Sequence, residues 1–507
     1  MTPSMRRSGP PQSGPARELI DSGFALENAD APFLHEGLNL ADIAHVLDLL
    51  RREIVPSPAA RELLRLLLEV QQVAVEDFPY DPEFGEPYNS RERFFVERLG
   101  KTAGWLHAGR PRREAARIAL RIHVRGQLLD LVDEVVRFAR DTTALAARHV
   151  DTLMPDQTYL QQAQPSTFGH YLLSFAQPAL RDAERLLGEL RNINASPGGA
   201  GCVNGTRLQD DRSHLADLLG FDSVIMHTRD AMWRVDDLIA VLATTTSIAS
   251  NQSKLAEDLE IFSSAEFDFV DLDDSFSRSS VLMPQKRNPY SLSIVRGASG
   301  VLIGRMSGFL AVTKSPSARS DNFIFAYGEV PRALDLSLRV TELMSGVVRT
   351  LEVHPDRMRA ELDRGYAQAT DLAEYLTVSR HIDYRTAYVV VGNVVRDASR
   401  AGIPGRAITA AMVEEAAFAQ TRTHWGVTDD EIAHVLSASS VVATRTATGG
   451  AAPEAFAEAV AKSCAQAGDL GRQVAERLER FDTAESALLR RAVAVVAGGA
   501  AFDEEKS

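Results

Sequence analysis

The sequence predicts an all-α protein in which long helices form a central bundle, with smaller helical domains at both ends. Three observations lead to this prediction. Apolar residues recur at helical spacing along most of the chain, several of these periodic segments are long, and no alternating strand pattern exceeds five residues. Long amphipathic helices bury their apolar stripes only against one another, so a bundle is expected.

The first long helix is expected over residues 115–149, where Ile118, Ile122 and Leu129 recur at helical spacing. Further long helices are expected over 166–192, 230–258 and 289–313. The predicted division of the chain is a disordered tail at 1–16, an N-terminal helical domain at 17–107, the bundle at 108–353 with a catalytic lid near 272–289, and a C-terminal helical domain at 354–507.

Composition limits the classes of partner. The 507-residue chain has a net charge of −14, which argues against nucleic acid and anionic membrane as partners. Its two cysteines, Cys202 and Cys464, exclude a disulfide framework and fit a reducing, cytoplasmic environment. No signal peptide or membrane-spanning segment is expected, and no metal-ligand or nucleotide motif occurs, so neither metal nor cofactor is expected.

The most informative segment is Ser-Ser-Val-Leu-Met-Pro-Gln-Lys-Arg-Asn-Pro, residues 279–289. It combines a hydroxyl, an ammonium and an amide within ten residues. We expect Ser280 to remove a proton from carbon, while Lys286 and Asn288 hold the carboxylate that makes this carbon acidic. A serine hydroxyl is too weakly acidic by itself, so positive charge and backbone N–H groups must stabilise its alkoxide. The simpler alternative is a solvated loop.

This segment resembles the signature of the aspartase/fumarase superfamily, Gly-Ser-x-x-Met-x-x-Lys-x-Asn, with Ser279 in place of the glycine. Residues 106–114 and 154–165 are similar to two further motifs of argininosuccinate lyase, in the same order along the chain. Within the superfamily the resemblance is therefore closest to that family, over residues 85–415. It implies an all-α homotetramer with each active site at the meeting of three subunits, and an elimination from a small dicarboxylate that releases fumarate.

The resemblance also assigns roles to residues outside the lid. Thr158 would donate its hydroxyl to the substrate, and Arg112 would bind the second carboxylate with its guanidinium. Arg113, Gln161 and Ser279 complete the expected substrate-binding set. The alternatives are that Thr158 caps the helix beginning near Ser166 and that the two arginines are an exposed pair. The aspartates 271, 273 and 274, which precede the lid, are expected to form a solvated hinge.

Two departures from the family pattern concern the general acid. The family histidine after Thr158 is Tyr159 here, and the glutamate that partners this histidine is Ser293. Tyr159 could protonate the leaving group with its phenol, or the leaving group could depart as a stable anion, such as nitrite, without any acid. A third interpretation is that Tyr159 is buried against the bundle.

Further departures concern the substrate. The family stretch that contacts the arginine end of argininosuccinate corresponds here to Arg319, Ile324 and Tyr327, and an isoleucine cannot hydrogen-bond a guanidinium. Arg113 replaces a family asparagine, and residues 87–89 read Pro-Tyr-Asn in place of Asp-Ile-His. We therefore expect a substituted succinate other than argininosuccinate, for example an aspartate adduct.

Three other functions stay open from the sequence. The chain could be a catalytically silent lyase scaffold, as loss of the histidine and glutamate suggests, although Ser280, Lys286 and Asn288 oppose this. It could be argininosuccinate lyase proper. It could also catalyse an isomerisation or cyclisation on the same carboxylate-binding residues.

Overall fold

The structure is a computed structural model that describes residues 14–315 and 321–499. Most of the expected disordered tail and the candidate residue Arg319 lie outside the described residues.

The N-terminal region packs along one side of the bundle through its longest helix, Ala31–Arg51. This helix is buried along almost its whole length. Gly37 permits the close approach, because a Cβ atom there would lie 2.6 Å from the Cα atom of Ala119 in the bundle. The helices of this region are α1 Arg17–Leu19, α2 Ala25–Asn28, α3 Ala31–Arg51, α4 Ser57–Val70 and α5 Pro87–Leu99.

Five long helices form the bundle, and the expected all-α architecture is confirmed. The longest has 37 residues, which corresponds to about 55 Å. Their facing stripes, rich in leucine and valine, form the largest hydrophobic core of the chain. The helices of this region are α6 Arg112–Arg148, α7 Phe168–Ile193, α8 Arg212–Leu218, α9 Thr228–Ala231, α10 Asp236–Phe262, α11 Tyr290–Thr313 and α12 Glu329–Thr350, of which α6, α7, α10, α11 and α12 are the long ones.

The C-terminal third contains two differently packed parts. Helices of residues 366–436 surround a separate small core that includes Leu376, Val394 and Ile432. The last helix instead runs back along the bundle and the N-terminal region, and contributes apolar side chains to both of their cores. The helices are α13 Pro355–Arg364, α14 Ala369–Arg380, α15 Tyr384–Arg400, α16 Ala410–Thr421, α17 Asp429–Val435, α18 Ala438–Ala443 and α19 Pro453–Val496.

Short strands connect the helices. They are β1 Leu153–Thr158, β2 Gln161–Thr167, β3 Ala195–Ser196, β4 Ser223–Val224, β5 Val270–Asp271, β6 Arg278–Ser279, β7 Arg287–Asn288 and β8 Glu352–Val353. β1–β2 and β6–β7 are antiparallel hairpins, β5 pairs with β8 antiparallel, and β3 pairs with β4 parallel. The β1–β2 hairpin was not predicted, because its outer residues are polar and carry no apolar alternation.

Within residues 14–315 and 321–499, every helix is too short or too polar to cross a bilayer.

Candidate active site

The lid is a hairpin with an exposed loop. Antiparallel β6 and β7 place Ser279 opposite Arg287. The backbone N–H of Ser280 donates to the carbonyl oxygen of Lys286 at 3.2 Å, which closes the loop. All side chains of residues 281–287 are exposed. The sequence motif is therefore presented outward from the end of the bundle, just before α11.

The hydroxyl oxygen of Ser280 lies in a turn of backbone N–H groups. It accepts hydrogen bonds from the N–H of Leu282 at 3.3 Å and the N–H of Met283 at 3.0 Å. Donors directed at an oxygen stabilise its negatively charged form. The side chain of Lys286, in the same short loop, forms no hydrogen bond or ion pair with any residue that the structure describes. The loop thus combines two backbone donors to the Ser280 oxygen with a lysine that has no such partner.

Asn288 lies at the base of the lid. Its side-chain N–H donates to the carbonyl oxygen of Arg278 at 3.0 Å and so links the two strands. An asparagine amide carries two N–H donors, and the second remains for a carboxylate. In this lid conformation Asn288 stabilises the hairpin.

The aspartates before the lid hold it in place. The guanidinium of Arg287 pairs with Asp271 at 2.9 Å and with Asp274 at 3.0 Å. Asp273 instead accepts a hydrogen bond from the N–H of Ser275 at 2.8 Å, and its bonds with Ser275 lower the pKa of Asp273. The segment predicted to be only a solvated hinge therefore carries two ion pairs to the lid, each contributing about 0–1 kcal/mol at this exposure.

Thr158 and Tyr159 lie at the end of the β1–β2 hairpin. Tyr159 and Leu160 form the two-residue turn with φ of 55° and 58°, a left-handed conformation that glycine and asparagine normally occupy. Tyr159 is 99 % exposed, so the interpretation in which it is buried against the bundle is wrong for the chain by itself. Thr158 pairs with Gln161, and the helix that follows is capped by Thr167 instead. We call residues 158–161 the hairpin tip.

Arg112 and Arg113 begin α6, where a cation is unfavourable because the N-terminal end of a helix carries a partial positive charge. An ion pair with Glu86, whose carboxylate lies 2.6 Å from the Nε atom of Arg112, offsets this cost. The guanidinium of Arg112 also donates a hydrogen bond to the side-chain oxygen of Asn89 at 3.0 Å. Arg113 lines a cavity of about 60 Å³, to which Tyr327 also contributes. We call this space the Tyr327 cavity.

Glu114, the next residue, is one that sequence reasoning missed. Its buried carboxylate accepts hydrogen bonds from the N–H of Gly199 at 2.7 Å and of Gly201 at 2.6 Å, and burial raises the pKa of Glu114 to about 7. It therefore fixes the Pro197–Gly201 loop against the start of α6. The signal was present, since Glu114 ends the arginine-rich motif and the loop is glycine-rich.

Known protein families match the region of the chain that carries these motifs and also a region after it. Residues 70–304 match a protein family described as Lyase, and residues 366–443 match one described as Argininosuccinate lyase C-terminal. Argininosuccinate lyase of Methanospirillum hungatei is 33% identical over 89% of this chain and 90% of that protein. The chain belongs to the argininosuccinate lyase family. The resemblance inferred from the sequence is confirmed.

Other relatives and solved structures agree with this placement. Argininosuccinate lyase of Methanosarcina acetivorans is 28% identical over 95% of this chain and 97% of that protein. An EDDS lyase variant with bound fumarate matches with a TM-score of 0.86 and 28% identity, covering 96% of this chain and 97% of that one. A fumarate lyase from Mesorhizobium sp. BNC1, at 17% identity and a TM-score of 0.71, shares the fold. As a member of the argininosuccinate lyase family, the chain is a carbon–nitrogen lyase of the fumarate-releasing type.

A single chain of this family member does not bring the predicted site residues together. Among the described residues, no hydrogen bond or ion pair joins the lid to the hairpin tip, and none joins Arg112 to either of them. A cavity beside Tyr159 is lined by residues of β1, α7 and α10, and the Tyr327 cavity is lined by N-terminal segments, α6 and residues 324–328. Neither cavity contains a lid residue.

Ser293, at the position of the family glutamate, has a partner of its own. Its hydroxyl donates to the carboxylate of Glu260 at 2.7 Å, and this carboxylate also pairs with Arg296. A carboxylate is therefore present here, but it is neutralised by a neighbouring guanidinium. No group of three or more metal-ligating side chains occurs in the part of the chain that the structure describes.

Proposed function

We propose that this protein catalyses elimination from a substituted succinate other than argininosuccinate, with release of fumarate. The observation that carries the proposal is the Ser280 hydroxyl oxygen, held by two backbone N–H groups in a loop that also presents Lys286. A hydroxyl oxygen that accepts two backbone N–H bonds, in a loop that also carries an ammonium, provides groups that could stabilise the alkoxide needed for carbon-proton abstraction at neutral pH.

In the proposed step, Ser280 takes the proton from the carbon next to a carboxylate. Charge then accumulates on that carboxylate, and preorganised donors lower the barrier. Lys286 supplies a full positive charge and Asn288 supplies its free N–H. Arg112, already oriented by Glu86 and Asn89, would bind the second carboxylate, and Thr158 and Gln161 would contact the substrate from the hairpin tip.

We propose that the lid, the hairpin tip and the Arg112–Arg113 pair meet in a homotetramer. The exposed face of α11, directly after the lid, supports this assembly, because Ile294, Val301 and Leu310 are exposed on it. A Cβ atom added to any of four glycines of the same helix would have no atom within 4 Å, so another helix could approach closely at positions 297, 300, 304 and 308. The expected mass is about 220 kDa, four times 55.4 kDa. Light scattering that shows a monodisperse monomer would contradict the assembly and the activity.

Argininosuccinate is excluded from the proposal by the composition of the Tyr327 cavity. Ile324 and Tyr327, which stand where the family contacts the arginine end, both line it, together with Arg113. A guanidinium entering this cavity would meet an isoleucine, which cannot hydrogen-bond it, and the like charges of two arginines. The carboxylates of Asp30 and Glu86 in the same lining are already paired with other guanidiniums.

The reverse reaction tests the function. The purified protein is incubated with fumarate and, in turn, with argininosuccinate's product arginine, aliphatic amines, hydroxylamine, hydrazine and nitrite. Loss of fumarate absorbance in the ultraviolet is followed. We expect addition with at least one partner and none with arginine.

Two variants sharpen this test. Ser280→Ala should lower the rate by at least about 10³-fold, since the base is removed. Ser277→Ala, in the same segment but outside the N–H turn, is the matched control and should retain activity. Fumarate that is stable with every partner would support the silent scaffold, and an active Ser280→Ala variant would remove the serine base.

A further inference from the structure

Residues that depart from the family pattern at four separate positions converge on one cavity. Pro87, Arg113, Ile324 and Tyr327 all line the Tyr327 cavity. They come from the start of α5, the start of α6 and the segment before α12. Departures that are scattered through the sequence but share one cavity indicate that this cavity has been rebuilt for a different ligand group.

Charged side chains of both signs line the cavity, and two of its carboxylates are already paired. Three carboxylates and two guanidiniums line it, from Glu27, Asp30, Glu86, Arg113 and Arg117. The carboxylate of Glu86 pairs with Arg112 and that of Asp30 pairs with Arg332, each at 2.6 Å, so guanidiniums from outside the lining neutralise both. Among the described residues, no ion pair neutralises the buried guanidinium of Arg117, which stacks on the ring of Tyr327.

Two buried donors in this cavity lack partners among the described residues. The guanidinium carbon of Arg117 lies 3.7 Å from the ring centroid of Tyr327, and its Nε is buried without a hydrogen-bond partner. The hydroxyl of Tyr327 is likewise buried and unpaired, in a side chain that is 8% exposed. An unpaired buried donor is costly, and a ligand that accepts hydrogen bonds from it would offset this cost. Burial raises the pKa of Tyr327, which keeps its phenol protonated and able to donate.

The size and walls of the cavity limit that ligand. Its volume of about 60 Å³ has room for roughly four to six water-sized groups. The remaining walls are apolar and include Phe33, Leu34 and Leu120. A compact anion with hydrogen-bond acceptors and no donors fits this combination, whereas a long amine chain does not.

We propose that the Tyr327 cavity receives the departing group of the substrate as a compact oxyanion, held by the Arg117 guanidinium and the Tyr327 hydroxyl. This inference rests on the proposed function. The proton on carbon goes to Ser280, its electron pair forms the new carbon–carbon double bond, and the bond to the departing group breaks with both electrons leaving on the oxyanion. No general acid is consumed, which agrees with the loss of the family histidine and with a Glu260 carboxylate already paired to Arg296.

The test compares anions with amines as partners of fumarate. Nitrite, an oxyanion that can bond carbon through nitrogen, forms the anion arm, and ammonia, ethylamine and hydroxylamine form the amine arm, each at varied concentration. We expect addition of nitrite. Arg117→Gln should raise its KM about 10- to 100-fold and Tyr327→Phe about 3- to 10-fold, with the KM for fumarate within twofold of wild type. Arg396→Gln, an exposed arginine of α15, is the control and should change neither KM.

Anion binding without turnover gives a second readout. Calorimetric titration of the assembled protein with nitrate should show binding that Arg117→Gln abolishes. Addition of amines but not anions would overturn the inference and leave the proposed function intact. Anion binding that depends on Arg117, with no turnover of any partner, would overturn the proposed function and retain the cavity's ligand class. Anion KM and binding unchanged in Arg117→Gln would overturn the inference alone.

Discussion

The lid and the Tyr327 cavity differ in how many residues of the family pattern they keep. In the lid, the sequence keeps Ser280, Lys286 and Asn288, and the backbone gives the serine oxygen two N–H donors. In the cavity, the family positions are replaced, and a buried arginine and tyrosine are left without partners among the described residues. Proton abstraction depends only on the carboxylate end of the substrate. The chemistry of the leaving group determines which side chains are needed in the cavity. The two requirements are therefore encoded by separate parts of the chain and can change independently.

The largest expected effect tests the lid. Lys286→Met removes the full positive charge of the lid loop, and the turnover number should fall about 10²- to 10³-fold because a charge that would stabilise the transition state is lost. Steady-state fumarate kinetics measure this. Lys101→Met, an exposed lysine in the N-terminal region, is the control. A turnover number within threefold of wild type for Lys286→Met would show that the lid charge is not used.

The second prediction concerns Glu114, which fixes the Pro197–Gly201 loop against the start of α6. Its pKa is about 7 in the folded chain and about 4.5 when unfolded. The folded state thus holds a proton that the unfolded state has lost, so this group's stabilisation is complete below pH 4.5 and declines until pH 7. Between pH 5 and 8 the free energy of unfolding should fall by about 2–3 kcal/mol from this residue.

Glu114→Gln removes that titration. Chemical denaturation of wild type and variant at several pH values should therefore show a difference in unfolding free energy that varies between pH 5 and 8. Glu415→Gln, an exposed carboxylate of α16, provides the baseline. A wild-type-minus-variant difference that is constant with pH would contradict the buried, protonatable carboxylate.

The third prediction concerns how the lid is anchored. Arg287→Gln removes the ion pairs with Asp271 and Asp274, and kcat/KM should fall about 3- to 10-fold, since exposed pairs contribute little individually. Added salt screens such pairs, so wild type at 1 M salt should approach the variant. Arg339→Gln, which breaks an exposed pair on α12, is the matched control. A salt-independent loss would place Arg287 in direct contact with substrate.

The smallest expected effect concerns Tyr159. If the leaving group departs as an oxyanion, Tyr159→Phe should keep the turnover number within twofold, because no phenolic proton is needed. The phenylalanine preserves the ring at the hairpin tip. A fall of tenfold or more, with a changed alkaline limb of the pH profile, would assign the general acid to Tyr159 and favour an amine leaving group.

The sequence predicted the long helices well because their apolar residues keep helical spacing over many turns. It did not predict the β1–β2 hairpin, whose register depends on backbone pairing between polar residues such as Gln157 and Gln162. It pointed to residues 279–289 as a candidate site, because the candidate hydroxyl, ammonium and amide lie in eleven consecutive residues. It did not identify the pairing of Arg117 with Tyr327, because these residues are 210 positions apart and neither belongs to a recurring pattern.

The course of α19 has a consequence for biosynthesis. Leu488, Ala492 and Val495, near its end, fill the core formed by α3 and α4. The core around α3 and α4 is thus completed by residues that are translated much later than these two helices, and its apolar side chains remain uncovered until α19 has been synthesised. Nascent chains that have not reached the end of α19 should depend on chaperones, and a stop codon shortly before residue 488 should yield aggregated product.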